Sequence, residues 1–85
     1  MKEIILNESA FNNREEFHEY IRKELDFPDY YGCNFDAFHD CLTDFSESVF
    51  FRVIRNPEER KFWFDILLKV IRDCASKNII LKTES

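Results

Sequence analysis

Three short stretches rich in β-branched residues alternate with longer stretches of helical periodicity, and this alternation is the strongest constraint on the fold. The short stretches, residues 2–6, 48–54 and 79–81, are each long enough for one strand. Strands that are joined through helices favour a parallel sheet with right-handed crossovers. The sequence therefore predicts an α/β protein that forms a single domain over residues 1–85.

Two helices are predicted between the first and second strands. Asn13 is a good N-cap, with Glu16 at the third helical position, and Pro28 ends the apolar periodicity that follows. Asn34 is the N-cap expected for the second helix. The buried faces of both helices follow from apolar residues at three- and four-residue spacing, which are Phe17, Ile21 and Leu25 in the first and Phe35, Phe38, Leu42 and Phe45 in the second.

A third helix is predicted between the second and third strands. It is expected to begin at residues 56–59, where an asparagine, a proline and two glutamates form a strong helix start. Its apolar periodicity extends to about Lys77, and Asn78 is the expected C-cap.

Composition indicates where in the cell the protein is expected and which kinds of partner it is expected not to bind. Cys33, Cys41 and Cys74 lack metal-ligand spacing and are expected to be free thiols in a reducing cytoplasm. No apolar run approaches the roughly 20 residues of a membrane span, and the first residues do not resemble a signal peptide. The acidic balance argues against direct nucleic-acid binding, which needs Lys and Arg to neutralise phosphates. We expect a cytoplasmic protein without a cofactor.

The negative charge of the chain is concentrated in one stretch. Residues 26–47 contain six acidic residues and no lysine or arginine, whereas the other 63 residues contain 11 acids and 12 bases. The same stretch holds six of the fourteen aromatic residues. An anionic field beside aromatic surface is suited to capture of a basic partner.

The acids of the second helix are predicted to share one exposed face. With its apolar residues inward, the helix presents Asp36, His39, Asp40, Thr43 and Asp44. Like charges at four-residue spacing cost about 0.2–0.5 kcal/mol per pair, and no basic residue lies close enough in sequence to offset them. This face is either a solvated acidic surface or a binding surface, and the pattern alone leaves both open.

Chemical sites have weaker support. His39 with Asp36 and Asp40 does not complete a metal-ligand set. Cys33 or Cys41 with a histidine, His18 or His39, lacks a third group to orient the base. A paired-carboxylate site normally needs a larger cleft than a domain of this size builds. We therefore predict no catalytic and no metal site.

Residues 23–43 closely resemble the barstar family of bacterial intracellular ribonuclease inhibitors. The resemblance rests on fourteen positions, which are Lys23, Glu24, Leu25, Pro28, Tyr30, Tyr31, Gly32, Asn34, Asp36, Ala37, Asp40, Cys41, Leu42 and Thr43. It implies a barstar-like fold, with a three-stranded parallel sheet packed with about three main helices. It also implies that the second helix and the loop before it block the active site of a basic, barnase-like ribonuclease in a 1:1 complex.

The resemblance also implies roles for individual residues. Asp40 is the central anchor and imitates a substrate phosphate, and Asp36 is a second acidic contact. The remaining contacts are Tyr30, Asn34 and Phe35 at the rim, Thr43, Asp44 and Phe45 at the far edge, and Asp73 on the last helix. His39 stands where the family has a large aromatic residue, Phe45 replaces a tryptophan, and Lys77 stands about where a second acid is expected. These departures predict a related but distinct ribonuclease.

Two other functions remain open from the sequence. The acidic face could serve a non-inhibitory interaction module that binds another basic protein. An enzyme is the third hypothesis, and it would depend on Cys41 or His39. The three differ in whether a ribonuclease is inhibited and in whether the protein itself shows turnover.

Overall fold

The computed structural model describes residues 2–74 and 78–84. Its elements, in chain order, are β1 (Lys2–Asn7), a 3₁₀ turn (Glu8–Ala10), α1 (Arg14–Glu24), α2 (Phe35–Thr43), β2 (Val49–Ile54), α3 (Phe62–Asp73) and β3 (Ile79–Glu84). The predicted α/β architecture with three strands and three main helices is confirmed. Among the described helices, none has both the length and the apolar character needed to cross a bilayer.

The sheet is parallel throughout, and β2 lies between β1 and β3. Because the chain steps across the sheet in one direction, right-handed crossovers place the helices on the same face. The burial pattern agrees, since Ile4 and Phe51 on the inner face are buried while Ile5 and Ile80 on the outer face are 46% and 41% exposed. The sheet therefore has one covered face and one open face.

The open face carries a row of charges across all three strands. Arg52 of β2 lies between Glu3 of β1 and Glu84 of β3, with nitrogen–oxygen distances of 3.4 and 3.5 Å. All three side chains are partly exposed, so each pair contributes little to stability. The row nevertheless makes the centre of this face polar.

Aromatic side chains fill the space between the helices and the covered face. Phe17 of α1 and Phe38 of α2 are both fully buried and meet edge to face, with ring centroids 5.4 Å apart. Phe27, from the loop between these helices, packs on Phe38 at 6.3 Å. The predicted buried stripes of α1 and α2 thus meet each other directly.

The predicted caps of α1 and α2 are confirmed. Asn13 accepts a hydrogen bond from the backbone N–H of Glu16 at 3.0 Å, and the Glu16 carboxylate accepts one from the N–H of Asn12 at 3.1 Å. Asn34 accepts from the N–H of Ala37 at 2.8 Å. The side-chain oxygens of Asn13 and Asn34 each satisfy a backbone donor that the first helical turn leaves unpaired, whereas Glu16 binds the N–H of the residue before the N-cap.

The predicted start of α3 is wrong by several residues. Residues 57–59 form a turn closed by Asn56, whose side-chain oxygen accepts from the N–H of Glu58, and the helix begins only at Phe62. The reason is a distant contact, because the backbone N–H of Lys61 donates to the carboxylate of Glu8 at 2.8 Å. Lys61 therefore takes the N-cap position, without a side-chain cap bond.

The predicted end of α3 also differs from the structure. The helix ends at Asp73 with Cys74 as its C-cap, so the prediction that Asn78 caps it is wrong. The predicted extension reaches Lys77, which lies outside the described residues. β3 continues to Glu84, beyond the predicted 79–81, because its later residues pair with β2 as far as Ile54.

Glu8 ties the loop between β2 and α3 to the end of β1. Its carboxylate is fully buried and accepts from Arg55 at 3.0 and 3.2 Å and from the backbone N–H of Asn56 at 2.9 Å, in addition to Lys61. Burial by itself raises the pKa of this carboxyl, but the hydrogen bonds from Arg55, Lys61 and Asn56 outweigh burial, and the pKa lies below its ordinary value.

We predict that Glu8→Gln lowers the free energy of unfolding by about 3 kcal/mol, because it leaves Arg55 and the loop N–H groups without their anionic acceptor. Urea unfolding monitored by circular dichroism measures the change. Glu58→Gln, at an exposed acid of the same loop, is the control and should stay within about 0.5 kcal/mol of wild type. Equal stability of the two variants would contradict the role given to Glu8.

Candidate functional site

The exposed face of α2 presents three carboxylates in a row. Asp36, Asp40 and Asp44 are exposed, while Phe38 and Leu42 on the opposite side of α2 are fully buried. The side chain of Asp40 is 87% exposed. Within the described part of the chain, no lysine or arginine forms an ion pair with any of the three. The predicted acidic face is thus present and unneutralised.

His39 lies beside this row on α2. Its Nδ1 is 3.9 Å from a carboxylate oxygen of Asp40, which is a loose contact, and its side chain is 46% exposed. Its backbone carbonyl accepts from the hydroxyl of Thr43 at 2.8 Å. His39 therefore lies next to Asp40 but is too far from its carboxylate to form a hydrogen bond with it.

Of the two adjacent tyrosines in the loop before α2, one is buried and the other is exposed. Tyr31 is 6% exposed, whereas Tyr30 is 86% exposed. The N–H of Tyr31 donates to the carbonyl of Pro28 at 3.0 Å, and Cys33 adopts a φ of 52°, which turns the chain into α2. Tyr31 anchors the loop, and Tyr30 is thereby presented to solvent.

A buried hydrogen bond fixes this loop to α1. The Nδ1 of His18 lies 2.6 Å from the hydroxyl of Tyr31, and His18 is 1% exposed. The imidazole also packs against the rings of Phe17 and Phe35, at 5.1 and 5.4 Å. Burial lowers the pKa of His18, with a smaller opposing contribution from Glu15, and burial raises the pKa of Tyr31. Both groups are therefore neutral near pH 7.

Three other predicted contact residues also make contacts within the protein. Asn34 caps α2, Phe35 packs on His18, and Phe45 packs on Phe27 with ring centroids 6.4 Å apart. Phe35 and Phe45 are half-buried, so only part of each ring is available to a partner. Periodicity predicted that these two phenylalanines are buried, whereas the family resemblance implied that they contact a partner. Their half-buried positions are compatible with both roles.

The end of α3 borders the acidic face on the side away from the loop. The thiol of Cys74 lies 3.7 Å from the hydroxyl of Thr43 and 3.9 Å from the carbonyl of His39. Asp73, the preceding residue, is exposed. Tyr30 lines a cavity together with Cys41, Asp44 and Phe45, so the loop before α2 and the end of α3 lie on different flanks of α2.

Among residues 2–74 and 78–84, no cysteine thiol forms a hydrogen bond with a histidine side chain. Cys33 donates to the carbonyl of Tyr31 at 3.8 Å, while His18 is bonded to the Tyr31 hydroxyl. Burial raises the pKa of the Cys41 thiol, and Asp40 and Asp44 raise it further, which opposes thiolate formation. Over the residues that the structure describes, no group of three or more potential ligands is arranged to hold a metal ion.

The role of His18 was missed by reasoning from the sequence. The residue precedes Ile21 by three positions and Leu25 by seven, which is the spacing of the buried stripe of α1. That spacing places the imidazole inside the protein, where it needs a hydrogen-bond partner. The partner, Tyr31, could not be identified without the fold.

Comparison with known proteins agrees with the fold. Residues 1–82 match the family described as Barstar (barnase inhibitor), and the chain belongs to that family. It is also 43% identical over 81 residues to a Bacillus subtilis (strain 168) protein named "Putative ribonuclease inhibitor YrdF", covering 91% of this chain and 89% of that protein.

We predict that acidification weakens the fold through His18. Because the pKa of folded His18 lies below its unfolded value of about 6.5, the unfolded chain takes up a proton first. The free energy of unfolding should then fall as pH drops below about 6.5, with a contribution of up to about 1.4 kcal/mol per pH unit until the folded pKa is reached. Urea titrations between pH 7.5 and 5 measure this slope.

His18→Gln should remove that contribution, so its slope in this range is expected to be shallower than that of wild type. His39→Gln is the matched control, because its side chain is half-exposed and it should retain the wild-type slope. Equal slopes in wild type and His18→Gln would contradict the assignment.

Proposed function

We propose that this protein is an intracellular, non-catalytic inhibitor of a secreted guanyl-preferring bacterial ribonuclease, whose cationic active site it blocks with α2 and the loop before it. The observation that carries the proposal is the row of exposed, unneutralised carboxylates on α2. Membership of the barstar family and the name of the B. subtilis relative support the ribonuclease as partner. We infer a 1:1 complex formed by a cytoplasmic monomer without a cofactor.

A ribonuclease active site must hold an RNA phosphate, so it concentrates positive charge. Asp40 lies in the middle of the row and offers a carboxylate in place of that phosphate. None of the three acids has to break an ion pair with a described lysine or arginine before binding. The repulsion among them, about 0.2–0.5 kcal/mol per pair, is relieved when a cationic partner covers them.

The acidic face is also pre-organised for binding. Phe38 and Leu42 hold α2 on the core, and Asn34 closes its first turn. A rigid surface loses little conformational entropy on association, which favours affinity. Tyr30 then supplies an exposed aromatic side chain of the kind that is enriched among the strongest contacts of protein interfaces.

We predict that Asp40→Ala weakens binding to a guanyl-preferring ribonuclease by about 3–5 kcal/mol, or roughly 10²- to 10⁴-fold, because it leaves buried cations of the enzyme unpaired. Barnase is a suitable probe, with the inhibition constant measured from RNA hydrolysis and association rates from stopped-flow fluorescence. Glu58→Ala removes an exposed acid far from α2 in sequence and should leave both quantities unchanged.

Salt supplies a second readout of the same proposal. Raising the ionic strength should slow association of the wild-type protein, because steering by the acidic face is screened. Inhibition that is insensitive to both Asp40→Ala and salt would refute the proposed mechanism. Binding without loss of ribonuclease activity would instead favour a non-inhibitory interaction module.

A further inference from the structure

A groove of about 250 Å³ lies between the loop that follows α1 and the last turn of α2. This cavity is the Tyr30 groove. Its lining residues include the aromatic residues Phe27, Tyr30 and Phe45 and the acids Asp26 and Asp44. The two carboxylates come from different segments of the chain, and only the fold brings them to the same cavity.

The walls of the Tyr30 groove are held by the core. Phe27 is 5% exposed, and its ring lies 5.1 Å from that of Tyr31 and 6.4 Å from that of Phe45. The N–H of Phe27 donates to the carbonyl of Arg22 at 2.9 Å. Asp26 adopts a φ of 53°, a left-handed conformation that fixes how the chain leaves α1. The groove is therefore a formed cavity.

The charges of the groove are uncompensated. Neither Asp26 nor Asp44 forms an ion pair or a side-chain hydrogen bond with any residue in 2–74 or 78–84. Cys41 also lines the cavity, and burial raises the pKa of its thiol, so it adds no positive or negative charge near neutral pH. The cavity is thus lined by aromatic residues and by two acids that have no ion-pair partner among the described residues.

A cavity lined by aromatic residues and acids favours a cation with a flat, weakly hydrated face. An arginine guanidinium stacks on aromatic rings and donates two parallel hydrogen bonds to a carboxylate, whereas a lysine ammonium is a compact and strongly hydrated charge. The cavity is too small for a helix or a strand. It is also continuous with the proposed ribonuclease interface, since Tyr30, Asp44 and Phe45 belong to both.

We propose that the Tyr30 groove receives an arginine side chain of the ribonuclease, next to the enzyme site that Asp40 enters, and that Asp26 and Asp44 help to determine which ribonuclease is bound. This inference rests on the proposed function. The Tyr30 groove would be a second site, besides Asp40, that recognises a positive charge of the enzyme. Ribonucleases with an acidic or apolar residue facing the groove are therefore bound less tightly.

The test is a titration of the full chain with N-acetyl-arginine methylamide, followed in ¹H–¹⁵N spectra. We expect shifts of the amide signals of Tyr30, Asp44 and Phe45 with an affinity of about 10 mM, and much smaller shifts with the neutral citrulline analogue. The double variant Asp26→Asn, Asp44→Asn should abolish them, and asparagine tolerates the left-handed backbone at position 26. Asp36→Asn is the matched control and should retain them.

Shifts confined to Asp36 and Asp40, equal shifts with citrulline, or no shifts would overturn the assignment. In a second arm, the double variant should lose at least tenfold in affinity for a ribonuclease whose binding depends both on Asp40 and on an arginine beside its own active site, and unchanged affinity for that enzyme would overturn the assignment too. The two proposals fail separately. An ineffective Asp40→Ala refutes ribonuclease blockade and leaves the arginine titration intact, whereas a negative titration removes only the role of the groove.

Discussion

The packing of Phe38 against Phe17 and Phe27 fixes α2 on the core, and the positions of the proposed contact residues on α2 depend on it. Because Phe38 and Leu42 occupy the inner side of a helix of only nine residues, its outer side is left to Asp36 and Asp40, and Asp44 follows them at the C-cap. The same aromatic cluster supports Phe45 and thereby one wall of the Tyr30 groove. The hydrophobic core therefore determines the shape of the acidic surface.

Two buried polar contacts organise the loops that the apolar core alone leaves undetermined. The carboxylate of Glu8 accepts hydrogen bonds from several residues of the β2–α3 loop. The His18–Tyr31 hydrogen bond holds the loop before α2 against α1. Buried polar groups add little net stability unless all their partners are satisfied, but they penalise every conformation in which a partner is missing. Each loop is thus restricted to one arrangement in a chain that has a single glycine.

Local signals predicted most of this structure, and distant contacts account for the rest. The caps at Asn13 and Asn34 and the outward row on α2 follow from residues within one or two turns, so the sequence reveals them. The late start of α3 could not be foreseen, because it depends on Glu8, which lies more than 50 residues before Lys61. The acidic face was predicted from periodicity, whereas the proximity of Asp26 to Asp44 needs the folded chain.

The row formed by Glu3, Arg52 and Glu84 bears on self-association. A three-stranded sheet with an open face and two edges that are unpaired within the described part of the chain is a surface on which a second copy could stack or pair. Stacking across the row would remove three charged side chains from water, and the cost of desolvating them opposes it. The charges that contribute little to folding thus discourage aggregation, and they do so on the face remote from the acidic surface of α2.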